Sequence, residues 1–167
     1  MLHFAEYDSP VGRLLLRSDG QALTGLWIGR EAPEKPAEDA VLWKVKLWLD
    51  AYFRGEAPAV AFPIAPEGTA FQSLIWELLC TIPYGKTRTY GELAREAAVR
   101  LGSEKMSAQA VGQAVGSNPI SILIPCHRVV GAKGQLTGYA WGIEKKKWLL
   151  EHEERHTRER EDRLCVL

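Results

Sequence analysis

The sequence predicts an α+β fold, a small α/β half at the N-terminus followed by a mostly helical half. Three observations carry this. Residues 2–30 alternate like paired strands between turn signals. From residue 40 on, apolar residues recur with helical spacing in several separate segments. One apolar run, Ile120 to Ile124, stops at Pro125 and reads as a short buried strand among the helices, because proline cannot donate to a sheet ladder.

Taken in order, strands are expected over His3–Tyr7, Arg13–Ser18 and Ala22–Gly29, separated by turns at Ser9-Pro10-Val11-Gly12 and Asp19-Gly20-Gln21. Glu31 to Asp39, rich in Pro, Glu and Ala, reads as a loop. Val41, Leu42, Val45, Leu49 and Phe53 predict a helix over 40–53 that Gly55 ends. Ala59 to Ile64 reads as a strand that Pro63 confines to an edge or terminus. Pro66-Glu67-Gly68 marks a boundary, dividing the chain into residues 1–66, residues 67–156 and a charged tail over 157–167.

In the second part, Phe71, Leu74, Ile75, Leu78 and Leu79 predict a helix over 69–81, closed by Ile82-Pro83-Tyr84-Gly85. Thr89 and Glu92 have capping-box spacing and open a helix from Tyr90 to about Val99. After Leu101-Gly102-Ser103 comes a helix over 107–116. One face is apolar (Met106, Ala110, Val111, Ala114, Val115) and the other nearly bare (Ala108, Gly112, Gly116). A helical glycine costs about 1 kcal/mol against alanine, which is offset only where something must approach the backbone closely. Two short helices joined by a turn fit either a helix-turn-helix or a plain helical hairpin. Gly131 to Gly134 reads as a hairpin turn and Gly138 to Gly142 as a loop. The last helix is expected from Ile143 to about Glu159, with Trp148, Leu149 and His152 inward and a charged end fraying into solvent.

An apolar fraction of 46% and a charged fraction of 25% are ordinary for a soluble globular protein. No stretch approaches the ~18 apolar residues of a membrane span, and the N-terminus lacks a signal pattern. A cytoplasmic protein is the expectation. Cys80, Cys126 and Cys165 are an odd count at wide spacing, which fits reduced thiols better than a disulfide framework. Net charge is zero, yet unevenly spread: 7 Lys/Arg against 10 Asp/Glu over residues 1–67, then 11 against 8 over 68–155. The half holding Cys126 is therefore mildly basic, as contact with phosphates requires.

Cys126 and His127 follow the apolar run directly. A thiol is a poor nucleophile until it ionises, and a close imidazole or guanidinium favours the thiolate, so the pair fits covalent catalysis. A cysteine after an apolar strand also fits a small core residue. His152-Glu153-Glu154-Arg155-His156 matches the zinc-protease signature His-Glu-x-x-His. That chemistry needs a third ligand and a walled cleft, and no further histidine follows on this charged helix end, so a chance match is expected.

Pro125-Cys126-His127-Arg128-Val129, with Asn118-Pro119 ahead of it, resembles the active-site signature of the O6-alkylguanine-DNA alkyltransferases (methylated-DNA–protein-cysteine methyltransferases). The likeness runs from about Thr69 to about Glu153. The resemblance implies a ribonuclease-H-like N-terminal domain without nuclease chemistry, then a helix-turn-helix whose second helix enters the minor groove, then a short active-site strand. Some relatives hold a structural zinc in the first domain; that half here has only His3 and no cysteine, so no such site is expected. The implied function is suicidal DNA repair, moving the alkyl group of O6-alkylguanine (O4-alkylthymine being a second candidate) from duplex DNA to Cys126. The alternative is a lesion-binding sensor without transfer; relatives of that kind replace the cysteine, which this chain keeps.

By the same resemblance, Cys126 is the nucleophile and His127 its base through a water. Glu153 orients His127, and Asn118 holds the turn around the cysteine. Tyr90 donates to the leaving guanine and pushes the target phosphate. Gln109, Ala110, Gly112, Gln113, Gly116 and Arg128 fall at the DNA surface, with a structural ion pair or cap as the alternative for Arg128. Tyr90, Val129, Tyr139, Ala140 and Trp141 line the pocket for the flipped base, Trp141 restricting bulky O6 substituents. No metal or redox cofactor is needed, each molecule acts once, and the expected partner is double-stranded DNA bound by a monomer. One departure stands out: where the family usually has Arg-Ala-Val-Gly, this chain has Gln109-Ala110-Val111-Gly112. Glutamine brings no charge and a less extended plane to the space left by the flipped base, and Arg100 or Lys105 are candidates to compensate.

Overall fold

The computed structural model describes residues 1–33 and 35–165. They form two compact units, Met1–Glu67 together with Pro119–Ser121, and Gly68–Asn118 together with the chain from Ile122 onward. The mixed α+β class read from the sequence is the class observed.

In the first unit, β1 (His3–Ser9), β2 (Gly12–Ser18) and β3 (Leu23–Ile28) pair antiparallel in chain order. Ala5, Leu14, Leu16, Leu23 and Leu26 are buried, and α1 (Ala40–Phe53) packs on this sheet through Val41, Leu42, Val45 and Leu49. Asp39 caps α1 by accepting the Leu42 N–H at 2.8 Å. Glu34, within the expected loop 31–39, lies outside the described residues. The expected strand 59–64 contracts to one parallel bridge, Ile64 with Leu23. Pro58, Pro63 and Pro66 punctuate this segment and supply no ladder donors. Pro119–Ser121 join the same unit: Leu26 N–H donates to Pro119 O at 2.9 Å, and Ser121 N–H to Leu26 O at 3.0 Å.

In the second unit, α2 (Ala70–Cys80) opens with a capping box between Thr69 and Gln72. α3 (Tyr90–Leu101) starts at Thr89, whose hydroxyl accepts the Glu92 N–H at 3.1 Å. Glu92 lies 3.6 Å from Arg88 Nε. Gly102, at φ 65, ends α3 in the left-handed region that glycine tolerates. α4 (Ala108–Gly116) is capped by Ser107 and buries Val111, Ala114 and Val115. The Trp76 indole N–H donates to Ala114 O at 2.9 Å, tying α2 to α4. The short strands β4 (Arg88–Thr89) and β5 (Val129–Val130) pair in parallel, setting the start of α3 beside the segment that follows Cys126.

Three expectations need correction here. The run 120–124 is not a strand. It holds a single bridge at Ile120, then a turn in which Ile122 has φ 73, and the short strand forms later, at 129–130. All four apolar side chains are buried, so no face alternates, and an internal bond described below replaces the ladder. Gly131–Gly134 carries a 3-10 turn with no strand after it, so it is not a hairpin. The last helix, α5 (Ile143–Cys165), runs past Glu159 instead of fraying there. Its continuation is held by internal contacts, including Thr157 Oγ1 donating to Glu153 O at 2.7 Å. Residues 166 and 167 of the expected tail lie outside the described residues, as does the Cys165 side chain. Among the described residues no helix is long and apolar enough to cross a membrane.

Trp76→Phe removes the α2–α4 hydrogen bond while Ser117 Oγ still donates to Ala114 O at 3.0 Å. Because the carbonyl stays paired, the expected loss is about 1 kcal/mol, read as a lower urea midpoint with unchanged slope.

Candidate active site

Asn118 builds the loop that presents Cys126. Its side-chain N–H donates to Ile124 O at 2.7 Å, closing residues 118–124 on themselves. The Cys126 N–H then donates to Ile124 O at 2.8 Å and the Arg128 N–H to Pro125 O at 3.0 Å, winding Cys126–Arg128 into a 3-10 turn. Ile122 sits at φ 73, an uncommon conformation for a β-branched residue that costs on the order of 1–3 kcal/mol. The closed loop and buried Ile122 side chain hold it there.

Cys126 is buried, and burial raises its thiol above the usual range. Four groups oppose this by favouring the thiolate: the Asn118 side chain first, then the charge of Lys146, a backbone N–H and the Tyr139 hydroxyl. Burial and contact with the Cys126 sulfur push the Tyr139 hydroxyl well above its own usual range, so it remains a proton donor. Lys146 is fully buried on α5, with Nζ donating to Thr137 O at 2.9 Å and Gly138 O at 3.1 Å. Desolvation pulls the Lys146 ammonium down to about 8, while Cys126 acts to raise it. Its Nζ stands 5.8 Å from the centre of the Tyr90 ring.

His127 and Glu153 are both buried, with Nε2 and Oε2 2.6 Å apart. Burial would raise the Glu153 carboxyl, but His127 and Arg128 outweigh it and hold the carboxyl well below its usual range. An ionised carboxylate only accepts, so Nε2 carries the proton in this bond. Nδ1 of the neutral ring is then left with a lone pair. Nδ1 is buried and makes no hydrogen bond. Glu153 also accepts from Arg128 Nε at 2.8 Å, Arg128 Nη2 at 3.1 Å and the Gly85 N–H at 3.1 Å.

Cys126 is thus a buried thiol next in the chain to an imidazole that Glu153 holds through Nε2, leaving Nδ1 as its free nitrogen. The family model of the 6-O-methylguanine DNA methyltransferase DNA-binding domain matches residues 70–155. The model of the ribonuclease-like domain of the same methyltransferases matches residues 2–66. The chain belongs to the 6-O-methylguanine DNA methyltransferase family. It is 47% identical over 159 residues to the methylated-DNA–protein-cysteine methyltransferase of Haemophilus influenzae, covering 91% of this chain and 86% of that one. Its counterpart in Methanosarcina acetivorans is 42% identical over 158 residues, covering 91% and 98%. Among solved structures, Mycobacterium tuberculosis OGT in complex with DNA superposes with a TM-score of 0.82 at 40% identity, covering 92% of this chain and 94% of that one.

Of the residues expected at a family active site, the structure brings Asn118, Cys126, His127, Glu153, Tyr90 and Tyr139 into one cluster linked by the contacts above. Gln109, Gln113 and Gly116 are exposed on α4, with Ala110 and Gly112 half-buried. A Cβ at Gly116 would meet nothing within 4 Å, and one at Gly112 would come no closer than 3.9 Å to Tyr90, so the bare face is open. Trp141 is half-buried and Ala140 exposed. One residue takes the second of its two expected places, and one is placed otherwise than expected. Arg128 is turned inward onto Glu153 and, through Nη1, onto Ile82 O at 2.7 Å, so its guanidinium is committed to an ion pair and not offered to a phosphate. Val129 is wholly buried in β5 and presents no surface to a base. Of the two candidates to replace the usual arginine, Arg100 pairs with Glu96 at 3.6 Å, while Lys105 is exposed in the α3–α4 loop.

Two residues of the cluster were missed. Lys146 shares a face of α5 with Leu149 and Glu153 at positions i, i+3 and i+7, a spacing that was there to be read. Gly85 was read only as a turn glycine. The protease-like string is taken apart by the fold: Glu153 faces His127, His152 stacks on Trp148 at 4.8 Å, and the His156 Nδ1–H donates to His152 O at 2.7 Å. Among the described residues no group of three or more His, Cys, Asp or Glu is placed to hold a metal ion.

Glu153→Gln leaves Arg128 without its counter-charge, and breaking such a buried pair costs about 3–5 kcal/mol at neutral pH. The folded carboxyl titrates below its unfolded value of about 4.3, so its stabilisation is complete above that pH and is lost as the pH falls below it. Urea unfolding of both proteins should give a stability gap that is widest near neutrality and narrows on acidification.

Proposed function

We propose that this protein repairs alkylated DNA by transferring the alkyl group of O6-alkylguanine to Cys126 in a single turnover. The observation that carries the reading is the buried Cys126–His127–Glu153 cluster, in a chain whose relatives are methylated-DNA–protein-cysteine methyltransferases. Residues 67–156 would carry DNA binding and transfer, and residues 1–66 supply no reacting group. A thiol raised by burial is not a standing thiolate, so its proton must leave as attack begins. His127 Nδ1 is the base, acting through one water, and Glu153 stabilises the imidazolium that forms. The sulfur forms a bond to the alkyl carbon, the carbon–O6 bond breaks, and its electron pair passes to the guanine. Tyr90 donates a hydrogen bond to that leaving base. Asn118, Lys146 and Tyr139 oppose the loss of solvation as charge develops on sulfur. The product is a thioether, which has no ready leaving group, so each chain reacts once. The chemistry draws on neither a metal nor a redox cofactor.

A stacked guanine cannot reach a buried sulfur, so the nucleotide must be flipped out of the duplex. The open face of α4 suits entry into a narrow minor groove, with Gln109 at the helix start beside the space the base leaves. Tyr139, Ala140 and Trp141 are the candidate pocket wall, and O4-alkylthymine is the second candidate substrate. A monomer bound to duplex DNA inside the cell is the working unit of this reading.

Incubation with an oligonucleotide containing O6-methylguanine should add the mass of one methyl group to the intact protein, and peptide mapping should place it on Cys126. Cys126→Ser should gain nothing while still binding DNA. No mass gain by the parent protein would favour the lesion sensor, and a methyl on Cys80 or Cys165 would sink the assignment of the nucleophile.

Gln109→Arg should tighten binding to duplex DNA and speed repair there, since only the duplex requires the void to be filled and phosphates to be met. Reaction with free O6-benzylguanine should barely change. Equal acceleration on both substrates would place Gln109 outside the flipping step.

A further inference from the structure

The family match to the second unit ends at residue 155, yet α5 continues to Cys165. This continuation does not stand free of the reactive cluster. Thr157 and Arg160 both pack on the Tyr84-Gly85 turn. A Cβ at Gly85 would lie 2.2 Å from Thr157 Oγ1, so the Gly85 backbone is pressed against the helix with no room for a side chain. Gly85 has φ 78, a second reason for glycine there. The guanidinium of Arg160 lies 4.8 Å from the centre of the Tyr84 ring, and that of Arg128 lies 5.7 Å from the same centre. The charge of Arg160 also helps to offset the rise that burial imposes on the Tyr84 hydroxyl.

That turn is joined to the reactive cluster at three points. The Gly85 N–H donates to Glu153 Oε1 at 3.1 Å, the Ile82 carbonyl accepts Arg128 Nη1 at 2.7 Å, and Arg128 rests on the Tyr84 ring. The same carboxylate holds His127 at 2.6 Å. We infer that Thr157 and Arg160 are positioning residues: the C-terminal continuation of α5 clamps the Tyr84-Gly85 turn, and the clamped turn fixes the carboxylate that aims His127 at Cys126.

The clamp acts on proton removal and not on DNA binding, because the contacts that carry it lead to Glu153 and Arg128 and not to α4. Loosening Tyr84-Gly85 withdraws one donor from Glu153 and lets Arg128 shift, so the carboxylate no longer holds Nε2 in one place. His127 then accepts the thiol proton less well, and alkylation of Cys126 needs a higher pH. A stretch of charged helix outside the family match thereby gains a function in this chain.

The inference rests on the transfer reading above, and the test separates the two. The full-length chain and its Arg160→Ala, Arg160→Lys and Thr157→Val variants are compared in three measurements: methyl transfer from duplex O6-methylguanine, Cys126 alkylation by iodoacetamide across pH, and binding of unmodified duplex. Arg160→Ala should slow transfer by about tenfold, a fraction of what acid–base assistance contributes. Its iodoacetamide profile should move to higher pH, while duplex affinity stays unchanged. Arg160→Lys keeps a cation at the Tyr84 ring and should recover much of the rate; Thr157→Val should show a weaker form of the alanine effect. A lowered melting temperature with an unmoved pH profile, or no difference in any variant, overturns the clamp. Failure of the parent protein to take up methyl would instead overturn the transfer reading, and the iodoacetamide profiles would still decide the clamp.

Discussion

A carboxylate with no exposed surface must answer for the water it has lost. Glu153 does so with four donors: His127 Nε2 at 2.6 Å, Arg128 Nε at 2.8 Å, Arg128 Nη2 at 3.1 Å and the Gly85 N–H at 3.1 Å. Desolvating an ion costs several kcal/mol, and the attraction of a partner offsets this only where geometry is good and the remaining lone pairs are satisfied. Here they are, and the donors come from two places in the chain, the Tyr84-Gly85 turn and the 3-10 turn at Cys126–Arg128, while Glu153 itself stands on α5. One side chain therefore sets the register among three segments. Because an anion accepts and never donates, it also decides which nitrogen of His127 carries the proton, and hence that Nδ1 is the basic one.

The sulfur side follows the opposite logic. Cys126 has no full counter-charge in contact, and burial works against its ionisation. What opposes burial is a set of weaker influences from Asn118, Lys146 and Tyr139. Lys146 matters most to the architecture, since its ammonium is held by the carbonyls of Thr137 and Gly138 and so ties α5 to the loop bearing Tyr139. Its depressed value, about 8, and the thiol's raised one are two faces of the same desolvation. A thiolate would favour the ammonium and the ammonium the thiolate. An alkylated sulfur is neutral and ends that exchange, leaving Lys146 to its two carbonyls.

The helices were legible because their signals are local. Period, Thr89 and the glycine at 102 placed α3 to within two residues, and the string Pro125–Val129 pointed to the Cys126–His127 pair that the fold buries beside Glu153. The run 120–124 was misread because a strand and a buried turn look alike when every side chain is apolar; only the long-range fate of the Asn118 amide separates them. For Arg128 the sequence left a DNA contact and a structural ion pair both open, because its partner, Glu153, lies 25 residues on and is brought near only by the fold. Lys146 was lost among three consecutive lysines, of which the fold buries only the middle one. The end of α5 was read as solvated from its charge density, yet Arg160 spends its charge on an aromatic ring.

A loop in place of the expected strand has a physical consequence for Cys126. A strand over 120–124 would make the segment ahead of Cys126 depend on a ladder partner for its position. The loop is instead fastened by its own groups. Asn118 closes it on Ile124, the Cys126 N–H returns to the same carbonyl, and Pro119 and Ser121 bond to Leu26 in the first unit. Ile122 at positive φ is strained, and such strain persists only where surrounding contacts over-determine it. The bonds from Asn118 and from the Cys126 N–H to the Ile124 carbonyl tie down the backbone around the sulfur. On the proposed reading, a guanine flipped from the duplex would bring the reacting carbon to this buried sulfur.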